Sequence, residues 1–314
     1  MRKPWKVALT TLGVIVAVPA LAVASTAIVN VIATQVETAA LTPYGESVTV
    51  NGRSMNVVAT GEGEETIVLL PGLGTAAPAL DFEPLIAELQ EDYRVVAVEP
   101  FGTGLSDQTD VPRTGENIAR EVHEALQGLG IDRYALMGHS ISGIYALTYT
   151  ASYPDEVTAF IGVDSSVPDQ PGWDDPIPTS TIATLSGLGV TRALTAIAPD
   201  PYEGLPYDDE TKDRMRVLSA RNTAAPTMLD EMDHASSNFA AVSGTTFPVD
   251  LPVLLFVVEE DAEVPGWREL HEAQAASVDR GEVVGIEGDH YLHHTRAPEL
   301  AAHTRTFLDQ LTTD

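Results

Sequence analysis

Short apolar runs recur along the chain at residues 66–70, 94–98, 134–137, 160–163, 252–258 and 282–286. Runs with little polar alternation are the pattern of strands buried on both faces, as in a parallel sheet. Between them, residues 82–91, 115–129 and 141–153 repeat their apolar positions at helical spacing. Residues 298–311 do the same with Leu300, Ala301, Phe307, Leu308 and Leu311, predicting a terminal packing helix. Strand and helix therefore alternate, which predicts an α/β domain with a doubly wound, mostly parallel sheet. Ahead of the first run, Ser47-Val48-Thr49-Val50 and Met55-Asn56-Val57-Val58 flank Asn51-Gly52, the signature of a β-hairpin.

Two stretches break the rhythm. Residues 165–250 are rich in Pro, Asp, Thr and Ser, carry Trp173 and Tyr202, and show short helical patterns near 182–197 and 209–220. A structureless insertion of about 85 residues inside a compact domain is improbable, so a mostly helical insertion is expected. The other stretch is residues 7–32, which hold no charged side chain. At about 1.5 Å per residue such a helix is long enough to cross a bilayer. Arg2, Lys3 and Lys6 precede it and Glu37 follows it, so the positive-inside rule places the N-terminus in the cytoplasm and the rest of the chain outside. Ala22-Val23-Ala24 before Ser25 offers the alternative of a cleaved signal peptide and secretion. Apolar character continuing through Ile28, Val29, Val31 and Ile32 favours the anchor. The expected organisation is an anchor and tether over residues 1–42, with residues 33–42 as the tether, followed by one large α/β domain over residues 43–314.

Composition removes several functions. Of 314 residues none is cysteine, which excludes disulfides, thiol nucleophiles and thiolate metal sites. The net charge is −29; without the three N-terminal basic residues, 14 basic remain against 46 acidic, a net of −32. Such a surface repels nucleic acid and anionic headgroups. No H-E-x-x-H spacing is present, so no metal is expected.

The candidate chemistry centres on Gly138-His139-Ser140-Ile141-Ser142-Gly143, between an apolar run and a helical pattern. Strand, tight Gly/Ser turn and helix is the context that holds a serine hydroxyl exposed on a sharp elbow. The usual pattern is G-x-S-x-G; here Ser142 occupies the second glycine position and Gly143 follows. A plain N-cap on Ser140 is the competing reading. A serine hydroxyl needs a base, and the base needs an orienting group. Residues 252–258 lead into Glu259-Glu260-Asp261, and residues 282–286 lead into Glu287-Gly288-Asp289-His290. A carboxylate and an imidazole thus each follow a buried strand, where open α/β sheets carry their sites.

Taken with two more segments, these motifs make the chain resemble an α/β-hydrolase-fold enzyme from about Ser47 to the C-terminus, apart from the inserted middle. Leu69-Leu70-Pro71-Gly72-Leu73-Gly74 is similar to the family's oxyanion loop, with Pro71 in place of the common His. Val98-Glu99-Pro100-Phe101-Gly102-Thr103-Gly104-Leu105-Ser106-Asp107 is similar to its D-x-x-G-x-G-x-S stretch, with Glu99 for Asp; Gly102 and Gly104 there are expected to shape a turn. The resemblance implies an eight-stranded, mostly parallel sheet flanked by helices, with the insertion as a helical lid between strands 6 and 7. It implies Ser140 as nucleophile, His290 as base and Asp261 as its orienting acid, with Glu260 a competitor for that role. It places the oxyanion donors on the backbone N–H groups of Leu73 and Ile141, one such donor contributing about 3–4 kcal/mol in the transition state. His139 is expected to pack beneath the elbow, His293 and His294 to match the motif less well than His290, and His123, His234, His271 and His303 to sit on the surface or in satisfied core positions.

The implied activity is a serine hydrolase without cofactor, cleaving an ester or other acyl bond of a small molecule at the outer face of a membrane. A proline-iminopeptidase-like aminopeptidase is an alternative, with Asp174, Asp175, Glu203, Asp208, Asp209 and Glu210 as candidates to bind a free amine. A non-catalytic hydrolase-fold binding protein is another, since fold does not imply function. A haloalkane dehalogenase, which carries Asp at the elbow, fits less well.

Overall fold

The computed structural model describes residues 3–259, 264 and 266–312, with side chains described from residue 20 onward. Its strands are β1 (Glu46–Val50), β2 (Arg53–Thr60), β3 (Thr66–Leu70), β4 (Arg94–Glu99), β5 (Tyr134–His139), β6 (Val157–Val163), β7 (Val253–Val258) and β8 (Gly281–Ile286). Its helices are α1 (Lys3–Ala40), α2 (Pro78–Asp81), α3 (Glu83–Leu89), α4 (Gly115–Gly128), α5 (Ser142–Ser152), α6 (Thr179–Gly187), α7 (Val190–Thr195), α8 (Asp209–Asn222), α9 (Pro226–Ala241), α10 (Trp267–Ala275), α11 (Leu292–Thr295) and α12 (Ala297–Thr312). The chain forms two compact units, Met1–Thr42 with Pro178–Glu203, and Pro43–Ile177 with Gly204–Asp314.

The larger unit is built on one eight-stranded sheet in the order β1-β2-β4-β3-β5-β6-β7-β8. β1–β2 and β2–β4 pair antiparallel, and every other neighbour is parallel. Alternate strand residues face opposite ways, and both directions end in apolar core. Val68, Leu70, Val96, Leu136, Phe160 and Leu255 pack on one side with α4 and α5. Ile67, Leu69, Val95, Met137, Ile161 and Phe256 pack on the other with α3 and α12. Burial on both faces is why these strands read as unbroken apolar runs. α4 begins where the Thr114 hydroxyl accepts from the Asn117 N–H at 3.3 Å, and it buries Ile118, Ala119, Val122, Ala125 and Leu126 as one stripe.

The expected Asn51-Gly52 hairpin is present as β1–β2, with both turn residues at positive φ. The Glu99–Ser106 stretch is a structural turn: the buried Glu99 carboxylate accepts from Asn56, Tyr44 and the Leu105 N–H at 2.8–2.9 Å. A Cβ at Gly104 would lie 1.7 Å from that carboxylate, so glycine is required there. Two expected segments take a different form, and one helix was not expected. The helix near 182–197 is two helices, separated where Gly189 takes φ +71°. Residues 33–40, expected as a tether, are helical and continue α1. α9 had no forecast.

Candidate active site

The register of the central strands brings three loops together. Leu70 of β3 lies opposite Gly138 of β5, and His139 lies opposite Val163 of β6. The residues immediately beyond these ends are therefore neighbours: the Pro71–Thr75 turn, Ser140 and Asp164.

Ser140 occupies φ +53°, a left-handed conformation that costs a non-glycine residue and persists where surroundings over-determine it. Here its N–H donates to Val163 O at 3.3 Å, and its carbonyl accepts from Ser166 N at 2.7 Å and Gly143 N at 3.0 Å. The backbone passes so close that a Cβ at Gly72 would sit 3.1 Å from Ser140 Cβ, and one at Gly143 would sit 2.2 Å from Ser166 O. Gly143 thus supplies the close approach, and Ser142 does something glycine cannot. Its hydroxyl donates to Pro71 O at 2.5 Å, tying the start of α5 to the turn after β3.

That turn is closed by Thr75 N donating to Gly72 O at 3.3 Å, with Gly74 at φ +83°, a geometry that calls for glycine at its third position. Leu73 lies at the corner of the turn, partly buried against the core, and Ile141 is the N-cap residue of α5. Among the described residues, no hydrogen bond uses the N–H of either one. A small cavity under the turn is lined by Gly72, Gly74, Ser142, Tyr145, Met228 and Glu231. Glu231 accepts from Tyr145 OH at 3.0 Å, and burial pushes its carboxyl up.

His290 follows β8, and its Nδ1 lies 2.6 Å from Asp164 Oδ2. Asp164 is 1% exposed and directly follows β6. Its Oδ1 accepts from Trp267 Nε1 at 2.7 Å and from Val258 N at 3.1 Å, so the carboxylate is held on both oxygens. The backbone bonds of Ser140 to Val163 and Ser166 bracket Asp164, which clamps acid and serine loops together. The carboxylate on the imidazole is therefore Asp164, which the sequence reading passed over as the threshold of the insertion. Asp261 and Glu260 lie outside the described residues.

His139 is buried under the elbow. Its Nε2 donates to His290 O at 3.1 Å, and the two rings are 4.6 Å apart. Burial holds its imidazole well below the usual range, and the neighbouring His293 and His290 push the same way, so it is neutral with the proton on Nε2. His293 and His294 turn away to a second carboxylate, donating from Nε2 to Asp81 Oδ2 and Oδ1 at 2.8 and 2.9 Å. These three residues place donor atoms within 4.8 Å of one another, a grouping a metal could use and one the sequence reading did not anticipate. Their mutual hydrogen bonds occupy those atoms. His271 is a buried core residue, with Nδ1 2.8 Å from Trp267 O and Nε2 2.7 Å from Ser165 O.

A family profile described as the alpha/beta hydrolase family matches residues 67–303. The chain belongs to this family. The hydrolase is similar over most of its length to YbdG of Bacillus subtilis strain 168, at 26% identity over 270 residues, 82% of this chain and 83% of that protein. It is 35% identical over 101 residues to RutD of Escherichia coli O139:H28, a protein named as a carbamate hydrolase, but covers 36% of that protein and 31% of itself. Among solved structures, a Vigna radiata epoxide hydrolase mutant aligns with TM-score 0.65 at 20% identity, covering 85% of this chain and 98% of that one. Cfl2 of Burkholderia cenocepacia aligns with TM-score 0.62 at 21% identity, covering 85% and 99%. These likenesses show the fold, and the chemistry is decided by the residues of the site.

Proposed function

We propose that this hydrolase is a cofactor-independent serine hydrolase that cleaves an ester or other acyl bond through an acyl-enzyme on Ser140. The observation that carries the reading is Ser140, at φ +53° and bonded through its backbone to the residues on either side of Asp164, whose buried carboxylate holds His290 Nδ1. With its proton pinned on Nδ1 by Asp164, His290 keeps Nε2 free to accept one. Ser140 Oγ attacks the acyl carbonyl carbon as its proton passes to His290 Nε2, and the carbonyl oxygen becomes an oxyanion facing the Leu73 and Ile141 N–H groups. Collapse of that intermediate breaks the bond to the leaving group, which takes the proton from His290. Water then repeats the sequence on the acyl-enzyme, releasing the acid and restoring Ser140.

Cleavage of an acyl group that carries no free amine is favoured over aminopeptidase action. Asp174, Asp175, Glu203, Asp208, Asp209 and Glu210, the acids that could have bound a free amine, are all exposed. Asp208 caps α8, accepting from Thr211 N at 2.7 Å, and Glu210 pairs with Arg214 at 2.6 Å. We place the catalytic domain outside the membrane, anchored by α1, whose residues Ala20–Ala40 alone have a mean hydropathy of 1.4.

Covalent labelling of the full-length protein by a fluorophosphonate tests the reading. Wild type is expected to label, and Ser140→Ala and His290→Ala are expected to lose both labelling and ester turnover while melting cooperatively. Turnover retained by either folded variant would sink the assignment.

A further inference from the structure

The insertion is not uniform. Between Pro178 and Pro199, Arg192 is the one charged residue, in a chain that carries 46 acidic residues and has Asp174, Asp175, Asp200 and Glu203 on either side. This charge-poor segment is the α6–α7 hairpin, and it belongs to the same compact unit as α1. Its large apolar side chains do not form a core: Leu185, Leu188, Leu194 and Ile197 are exposed, Ile197 to 83%. An exposed, uncharged apolar surface on so acidic a protein calls for an occupant.

What the hairpin does bury is a polar stripe. Thr26, Asn30, Thr34 and Glu37 recur along α1 at intervals of four, four and three, so they share one helix face. Each is answered by the hairpin. Thr26 Oγ1 donates to Leu188 O at 2.8 Å and Asn30 Nδ2 donates to Ser186 O at 3.0 Å, satisfying carbonyls at the end of α6. Arg192 donates to Asn30 Oδ1 at 3.0 Å, to Thr34 Oγ1 at 2.9 Å and to both Glu37 oxygens at 2.9 and 3.0 Å. The turn comes so near that a Cβ on Gly189 would lie 2.3 Å from Thr26 O. The rest of α1 presents Leu21, Ile28, Val29, Val31, Ile32 and Val36 outward.

Polar groups on a helix in a bilayer are tolerated where they face protein and pair there. From this match we infer that α6–α7 is a membrane-seated element carried by α1, with Leu185, Leu188, Leu194 and Ile197 in contact with lipid. The inference rests on the anchor reading of α1. The occupant is the apolar region of the bilayer and not its headgroups, because the hairpin's single cation is spent on Glu37 and the chain's net charge of −29 opposes anionic lipid.

The absence of cysteine makes the test clean. Full-length protein carrying one environment-sensitive fluorophore at Ile197→Cys, Leu194→Cys, Ile28→Cys or Ser152→Cys would be reconstituted into phosphatidylcholine vesicles. Labels at 28, 194 and 197 are expected to be quenched by spin-labelled lipid chains and several-fold less accessible to aqueous iodide than the label at 152. Adding Arg192→Ala should expose the label at 197 to iodide and leave that at 28 in lipid. A label at 197 as open to iodide as that at 152, with 28 in lipid, would overturn the hairpin inference and leave the anchor standing. A label at 28 that also escapes lipid quenching would overturn both. Lipid quenching at 197 that Arg192→Ala leaves untouched would overturn the dependence on α1.

Discussion

Asp164 and Asp81 both hold imidazoles through hydrogen bonds of 2.6–2.9 Å, yet their surroundings separate their uses. Asp164 spends one oxygen on the backbone and Trp267 and gives the other to a histidine whose side chain is 44% exposed. Asp81 gives both oxygens to imidazoles, and its principal partner, His293, is wholly buried. Burial drives the Asp81 carboxyl up, but His293 and His294 outweigh it and hold it below the usual carboxylate range. Burial likewise lowers His293, against the pull of Asp81. An imidazole that must collect and return a proton needs one nitrogen facing the reactant, which the Asp164 arrangement leaves and the Asp81 arrangement does not. The Asp81 pair is a staple: it joins α2 to α11, the short helix that starts two residues after His290. One aspartate holds His290, the base in the proposed mechanism, and the other fixes the helix that follows it.

Asp164→Asn breaks the comparison most severely. With Trp267 and Val258 still donating, the amide oxygen stays on their side and the NH2 faces His290. The imidazole must then accept at Nδ1 and carry its proton on Nε2, the wrong tautomer for taking one from Ser140. Turnover should fall on the order of 10⁴-fold with the melting temperature little changed. Asp261→Asn, measured alongside, should leave turnover within a few-fold; the reverse ranking would return the acid's role to Asp261. Asp81→Asn should behave oppositely. Removing the buried carboxylate on which two imidazole N–H groups converge should cost about 2 kcal/mol of stability, read from urea unfolding, while fluorophosphonate labelling of the folded fraction drops far less than in Asp164→Asn. A loss of labelling equal to that of Asp164→Asn without destabilisation would make Asp81 part of the proton machinery.

A smaller effect belongs to Ser142. Ser142→Ala removes the bond to Pro71 O and should cost about 1 kcal/mol of stability. Because that bond sets the spacing between the α5 terminus and the Gly72–Thr75 turn, kcat should drop more than KM rises. An unchanged kcat would reduce the hydroxyl to a packing role.

These residues also mark what could be read before any coordinates. The sheet was legible because strands buried on both faces leave unbroken apolar runs, and the places of Ser140 just after β5 and of His290 in the loop after β8 were legible because a small-residue turn follows one strand and a loop the other. Asp164 was not found, although it satisfies the rule that pointed to Asp261: a carboxylate just past a buried strand. What marks Asp164 is a contact, its Oδ2 lying 2.6 Å from His290 Nδ1; a contact that spans from the end of β6 to the loop after β8 is not written in local periodicity. α9 was hidden for another reason. Its buried face includes Thr227, Glu231 and Asn238, each satisfied by a distant partner, Thr109 N at 2.8 Å, Tyr145 OH at 3.0 Å and Gly115 N at 2.9 Å. Polar residues turned inward erase the apolar stripe that announces a helix.

The finest test concerns how Asp164 is supported. His271 lies fully buried with Nε2 2.7 Å from Ser165 O, the carbonyl next to Asp164. Burial lowers its imidazole below the usual range, against the pull of the Trp267 and Ser165 carbonyls and Asp164. The native state therefore keeps His271 neutral at pH values where the unfolded chain has taken up a proton. Stability contributed at this position is complete above the unfolded histidine pKa and is lost as pH falls below it. His271→Gln keeps a donor for Ser165 O and removes the titration. It should be less stable than wild type near neutrality, and the gap should narrow as pH falls from 7 to 6, measured as urea midpoints at each pH. A gap that widens on acidification would mean the native imidazole gains its proton more readily than the unfolded one. The two carbonyls and Asp164 would then outweigh burial, and the Asp164 turn would rest on a charged His271 instead of a neutral one.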